Sequence, residues 1–242
     1  MYESLKAKNA KRWADSKVTK YYPSIVKKIF ANKTRYQAVE AKTGVPWPVI
    51  AVIHVREADM NFNTQLAQGD PLSRVSTHVP RGQGPYTGPN AWENAAVRAL
   101  KDTGGPSWKD WTPGGWTTFL EKYNGFGYSR MGRPSPYVWG GTNQYTSGKY
   151  VSDGKYDAGT VDSQPGCASL IGQLAVIDKT INPEDLSKKS NVIVHTTAGT
   201  VVAAGAAAVA TAPHHIWPWV LGGSCLAVAL GLWAYLYFKG KK

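Results

Sequence analysis

Cysteine is almost missing from this chain: there are two in 242 residues, Cys167 and Cys225, and the second lies inside an apolar run. No disulfide framework can be drawn from such a pair, so the fold must stand on its packing. Histidine is scarce too, with His54 and His78 isolated and His214-His215 in a turn beside Pro213. No His/Cys cluster at metal-ligand spacing results, and neither a metal nor a cofactor is implied. Acids are outnumbered, 16 against 28 Lys and Arg, giving a formal charge of +12. That field suits an anionic polymer such as nucleic acid, anionic lipid or peptidoglycan. The bases are scattered or flank the C-terminal apolar segment and are not threaded among the loop aromatics, which disfavours nucleic acid. The first residues, Met1 to Lys6, carry charges with no apolar core behind them. No secretory signal peptide is read there, and the expected starting compartment is the cytoplasm.

What is present centres on Val49-Ile50-Ala51-Val52-Ile53-His54-Val55-Arg56-Glu57, an apolar run closing on a carboxylate. In a helix, Ile50, Ile53, His54 and Glu57 share one face, so the acid lies with core-directed isoleucines. A carboxyl half-removed from water holds its proton more tightly, as a general acid must near neutral pH. The structural alternative is a helix end salt-bridged through Arg56. After it come Asn61-Phe62-Asn63-Thr64 and Gln68-Gly69-Asp70-Pro71, polar and turn-rich, with Asp70 as a second carboxylate. Glycoside hydrolysis commonly uses two such acids, although Gly-Asp-Pro also makes an ordinary turn.

Taken in order, residues 1–20 read as a basic N-terminal arm, exposed or loosely docked. Residues 21–182 read as the catalytic domain. Pro23 opens a helix through Phe30, a second pattern through Tyr36 and Val39 stops at Gly44, and Val45-Pro46-Trp47-Pro48 joins it to the acid-bearing helix. Residues 62–89 lose the helical period, and the short pieces there predict a small hairpin or twisted sheet. Asn90-Ala91-Trp92-Glu93 reads as a capping box opening a helix through Leu100. Trp116 to Tyr123 reads as a helix ended by Gly125, Lys149 to Gly154 as a hairpin turn, and Cys167 to Ile177 as the last helix of the domain.

Between those helices the sequence interleaves aromatics with amides and glycines. Tyr123-Asn124-Gly125-Phe126-Gly127-Tyr128 is followed by Ser135-Pro136-Tyr137-Val138-Trp139-Gly140-Gly141-Thr142-Asn143-Gln144-Tyr145. Flat rings stack on sugar faces, amides read hydroxyl and acetamido groups, and glycine lets backbone approach a bound chain. Tyr123, Asn124, Tyr128, Tyr137, Trp139, Asn143 and Gln144 are therefore the candidate substrate-binding residues. Packing of the same loop on the helices is the alternative.

With these motifs and Gly69-Asp70-Pro71-Leu72 and Gly148-Lys149-Tyr150-Val151-Ser152-Asp153-Gly154, the chain resembles phage and prophage lysozyme-like endolysins over roughly residues 30–180. The resemblance implies an α+β, mainly helical lysozyme-like domain with a small β-lobe. It implies cleavage of the β-1,4 bond between N-acetylmuramic acid and N-acetylglucosamine, with peptidoglycan glycan strands as partner and host lysis or wall penetration as purpose. By position Glu57 takes the general-acid role, and Asp70 and Thr77 are the nearest counterparts of the acid and threonine that orient water, at a different spacing. The Tyr-Asn-Gly motif is also similar to the Tyr-Asn pair of lytic transglycosylases, which use one Glu and leave an anhydro-sugar. A chitinase-like hydrolase and a non-catalytic wall-binding virion or membrane protein remain as further readings.

The C-terminal part is read from its hydropathy. Residues 219–238 carry no formal charge over twenty positions, enough at ~1.5 Å per residue to span a bilayer core of ~30 Å. Residues 192–212 form a weaker apolar run after a linker over 183–191, and a basic tail, 239–242, closes the chain. The expected fold class is thus completed by one or two C-terminal transmembrane helices, 192–238 as a hairpin. Lysines at both ends would keep both termini inside, anchoring the protein in the bacterial inner membrane with the catalytic domain cytoplasmic before release.

Overall fold

The computed structural model describes residues 2–188 except 79 and 153, and the backbone of 193–196 and 199–202. Helix α4, Trp47–Ala58, is its axis: every residue from Trp47 to Val55 is buried. A helix apolar on all sides must be enclosed on all sides. Helices α3 (Lys33–Thr43), α6 (Pro113–Tyr123) and α9 (Cys167–Ile177) pack against it. Around them lie α1 (Glu3–Ala14), α2 (Pro23–Ala31), α5 (Ala91–Asp102) and two single-turn helices, α7 (Gly127–Arg130) and α8 (Pro136–Trp139). Strands β1 (Lys149–Ser152) and β2 (Lys155–Asp157) pair antiparallel.

Most helix ends follow from local chemistry. Pro23 stands in the first turn of α2, and Gly44, at φ +70°, stops α3 in the left-handed conformation. The capping box expected at Asn90 does not form. The Asn90 side chain makes no capping bond, and Glu93 binds Arg35 of α3 at 2.6 Å instead. A charged partner on the neighbouring helix outcompetes a neutral backbone amide for that carboxylate.

The hairpin or twisted sheet expected over 62–89 is also absent among the described residues, where only a bridge from Thr64 to Pro71 occurs. Four prolines in this segment lack the N–H that a ladder requires. The buried Gln65 organises it instead, its side-chain amide donating to the Arg74 carbonyl at 3.2 Å while its backbone N–H donates to that of Asp70 at 2.7 Å.

The basic N-terminal segment, expected as an exposed or loosely docked arm, carries helix α1 docked on the domain. The buried Asn9 of α1 donates to Thr118 Oγ1 at 3.2 Å, Lys6 pairs with Asp110 at 3.0 Å, and the Trp13 ring meets Trp116 edge-on at 4.9 Å. The contact is backbone-close, since a Cβ on Gly114 would stand 2.5 Å from the Lys6 carbonyl oxygen. At the other end, the stretch expected as a linker begins docked: Leu186 is buried and its N–H donates to the Trp111 carbonyl at 3.0 Å.

The transmembrane part of the expected fold class is corrected. Residues expected in a first membrane helix form an antiparallel pair, β3 (Ile193–Thr196) with β4 (Gly199–Val202). Their β-branched Ile, Val and Thr favour the extended backbone over the helix. Among the described residues no helix is long and apolar enough to cross a membrane. The observed class is a mainly helical domain with two small two-stranded sheets. The second expected span, 219–238, and the tail 239–242 lie outside the described residues.

Candidate active site

Glu57 occupies the last turn of α4, immediately ahead of a left-handed turn at Asp59 and Met60, φ +47° and +57°. Neither is a glycine, and such backbone costs on the order of 1 kcal/mol per residue. His54 holds the turn in place. Its Nε2–H donates to the Asn61 carbonyl at 3.2 Å, which leaves Nδ1 to accept from Tyr36 Oη at 3.1 Å. Burial lowers the imidazole pKa to about 4, so His54 is a neutral structural post.

The Glu57 carboxyl is half-buried, and that burial pushes its pKa up. Two groups oppose the rise: the Tyr137 hydroxyl, which donates to Oε1 at 2.8 Å, and the positive field of Arg56. Arg56 does not pair with Glu57. Its Nη2 binds Asp162 Oδ2 at 2.8 Å, its Nη1 donates to the Pro165 carbonyl at 3.3 Å, and its guanidinium lies 4.9 Å from the Tyr137 ring centre. Lys149 holds the other Asp162 oxygen at 3.0 Å. The salt-bridged helix end considered from sequence is therefore redirected to Asp162, whose two cations keep its carboxyl below the usual range against the pull of burial.

Beside this cluster lies a cavity of about 660 Å³. One wall is the loop from Asn124 to Tyr128, the other is β1 with Lys149 and Tyr150, and Arg56, Tyr137 and Asp162 close its inner end. The walls are tied together: the Tyr150 N–H donates to Tyr128 Oη at 3.0 Å, and the two rings meet edge-on at 5.1 Å. Gly127 permits the approach, because a Cβ there would stand 3.0 Å from the Tyr150 ring. Glu57 does not line the cavity itself; it is reached through Tyr137 in the wall. Tyr123 adds a buried hydroxyl without a hydrogen-bond partner, and both burial and the charge of Glu57 oppose its ionisation. An orphaned buried hydroxyl costs ~1–3 kcal/mol, and Tyr123 itself is not part of the cavity lining.

Of the residues singled out in the sequence, Glu57, Tyr123, Asn124, Tyr128 and Tyr137 come together here. Asp70 and Thr77 form a different unit. Asp70 Oδ2 accepts the backbone N–H groups of Thr77 at 2.9 Å and His78 at 3.0 Å, while Oδ1 takes His78 Nδ1 at 2.7 Å. These donors hold the Asp70 carboxyl below its usual range, and neither Asp70 nor Thr77 lines the cavity. The loop still passes the helix end, with a Cβ on Gly69 falling 3.9 Å from the Glu57 carbonyl oxygen.

Trp139 is wholly buried and lies outside the cavity lining. Asn143 and Gln144 spend their amides on the N-terminal segment. Asn143 accepts the Lys17 N–H at 2.7 Å, and both side chains donate to the Asp15 carbonyl, at 3.1 and 3.3 Å. Lys149, Tyr150 and Asp162 are site residues that the sequence reading did not place in the site, and Arg56 was considered only as a salt-bridge partner at the helix end. The hairpin signal at Lys149 pointed toward Lys149 and Tyr150, while nothing periodic marks Asp162. Among the described residues, no group of three or more His, Cys, Asp and Glu could hold a metal. Comparison with known proteins returns no match to a protein family, a curated protein or a solved structure.

Proposed function

We propose that this chain is a peptidoglycan-cleaving glycosidase in which Glu57 is the general acid for the β-1,4 bond between N-acetylmuramic acid and N-acetylglucosamine. The observation that carries the reading is a half-buried carboxyl, shifted toward its protonated form and oriented by Tyr137 at the wall of an aromatic- and amide-lined cavity. Arg56, the cation next to it in sequence, is engaged elsewhere. Glu57 in its acid form protonates the glycosidic oxygen as the C1–O bond breaks. A water then adds to C1 and returns its proton to the Glu57 carboxylate. Tyr128 and Tyr150 offer ring faces to the sugars, and Asn124 and Gln164 offer amides to their acetamido and hydroxyl groups.

A second reading, lytic transglycosylation, has one observation in its favour: both oxygens of Asp70 are already taken within its own loop. With Glu57 acting alone, a hydroxyl of the same sugar attacks C1 and gives its proton to Glu57, leaving an anhydro-sugar. In both readings Glu57→Gln of the full chain abolishes release of fragments from purified sacculi while the fold is retained. Mass analysis of the wild-type products, reducing or anhydro ends, separates hydrolysis from transglycosylation. Undiminished cleavage by folded E57Q overturns both, and equal cleavage of chitin would favour a chitinase-like hydrolase.

A further inference from the structure

A second groove, about 360 Å³, opens between α1 and the loop around α7. Lys8, Arg12, Arg130 and Arg133 line it, and no carboxylate does. Arg12 feels the charge of Glu121, but that acid is buried and is not part of the lining. Lys8, Arg130 and Arg133 are exposed and pair with no acid among the described residues. Four cations in one groove repel one another, an arrangement that a polyanionic ligand relieves. The groove is built rather than incidental. Tyr2 stacks on Phe126 at 5.2 Å, and the Asn9, Lys6 and Gly114 contacts lock α1 onto α6, fixing where Lys8 and Arg12 stand.

Phe126 and Arg130 line this groove and also the cavity beside Glu57, so the two depressions share a rim. We propose that the groove is an anion-binding subsite for the carboxylates of a peptide-substituted glycan strand that runs on from the cavity. This rests on the glycosidase reading and adds a selection rule to it: the chain prefers strands bearing regularly spaced carboxylates over neutral amino-sugar polymers. Arg12 donates to Asn9 Oδ1 at 3.2 Å and Arg133 lies 5.1 Å from the Tyr156 ring centre, but neither contact neutralises a charge. A neutral strand would therefore leave the groove's positive charge uncompensated, whereas an acidic one neutralises it as it binds.

The test is binding by the full chain carrying E57Q, which prevents turnover, compared with the same chain also carrying Lys8→Gln and Arg133→Gln. The probes are labelled soluble glycan strands with intact stem peptides, the same strands with their carboxyls amidated, and single-stranded DNA of matched length. The added pair should weaken binding of the acidic strand about tenfold at low salt, the loss expected for two partly screened contacts. Raising salt should erase the difference, and the amidated strand should bind both proteins alike. An equal loss on the amidated strand, no loss on the acidic one, or tighter retention of DNA would overturn the proposal. If sacculi are never cleaved yet the charge-dependent binding persists, the glycosidase reading falls and the anion subsite stands.

Discussion

Replacing Glu121 with glutamine tests whether burial alone, or burial beside a cavity, makes a carboxyl catalytic. Glu121 on α6 is 1% exposed, and neither of its oxygens makes a hydrogen bond of ordinary geometry. Burial raises its pKa from 4.5 to about 6. Arg12 opposes that rise, and so do Asn9, Ser129 and the Trp139 indole, which stand close without bonding. The folded state therefore favours the protonated acid. Below pH 4.5 the group costs nothing, and as pH climbs through 6 the fold must carry its charge. A rise of this size corresponds to about 2 kcal/mol at pH 7.5. Glu121→Gln keeps the shape and removes the charge, so it should stabilise the protein by that amount at pH 7.5 and by nothing at pH 4. In melting temperature the gain is ~4–8 °C for a domain of this size. Denaturant titrations of both proteins at the two pH values measure it, and glycan cleavage should persist because Glu121 bonds to no residue of the cavity wall, whereas Glu57 is held by Tyr137. A stability difference independent of pH would refute the electrostatic reasoning. Loss of cleavage in a folded E121Q would show that the proton donor had been assigned to the wrong acid.

Tyr137→Phe removes a hydrogen bond that lowers the Glu57 pKa, so the alkaline limb of the activity profile should move to higher pH while the maximal rate falls; an unmoved limb in a pH–rate series would separate Tyr137 from Glu57. Asp70→Asn should loosen the loop at Thr77 and His78. Because the Asp70 pKa is lowered on folding, its contribution is present above pH 3.8 and lost as pH falls through the lower folded value. The variant should therefore melt lower than wild type at pH 7 but converge with it in acid, and a folded D70N should still cleave glycan. Gly114→Ala would drive a methyl into the Lys6 carbonyl and should destabilise the protein by ~1–3 kcal/mol, read from denaturant midpoints. Anion binding should weaken with it as α1 lifts.

The run from Val49 to Glu57 was legible because an apolar segment closing on a carboxylate is a local fact of the chain, and its first seven residues, Val49 to Val55, are all buried. The stops at Gly44 and Gly125, the hairpin after Lys149 and the helix from Cys167 to Ile177 were equally local, written in glycine conformation and apolar spacing. Partner choice was not. Whether Arg56 faces Glu57 or Asp162, 106 positions away, depends on where the chain returns. The same holds for Glu93, which takes Arg35 in place of its own helix end, and for Asp70, which is consumed by donors in its own loop. Asn143 and Gln144 have the composition of a sugar-reading loop, yet they fasten the N-terminal segment because that segment arrives beside them. Side-chain chemistry and periodicity are properties of neighbours in sequence, so the chain alone determined which residues could donate a proton or stack on a sugar. Hydrogen bonds and ion pairs saturate on whichever partner is brought within reach, and only tertiary packing decided which of those residues remained free to do so.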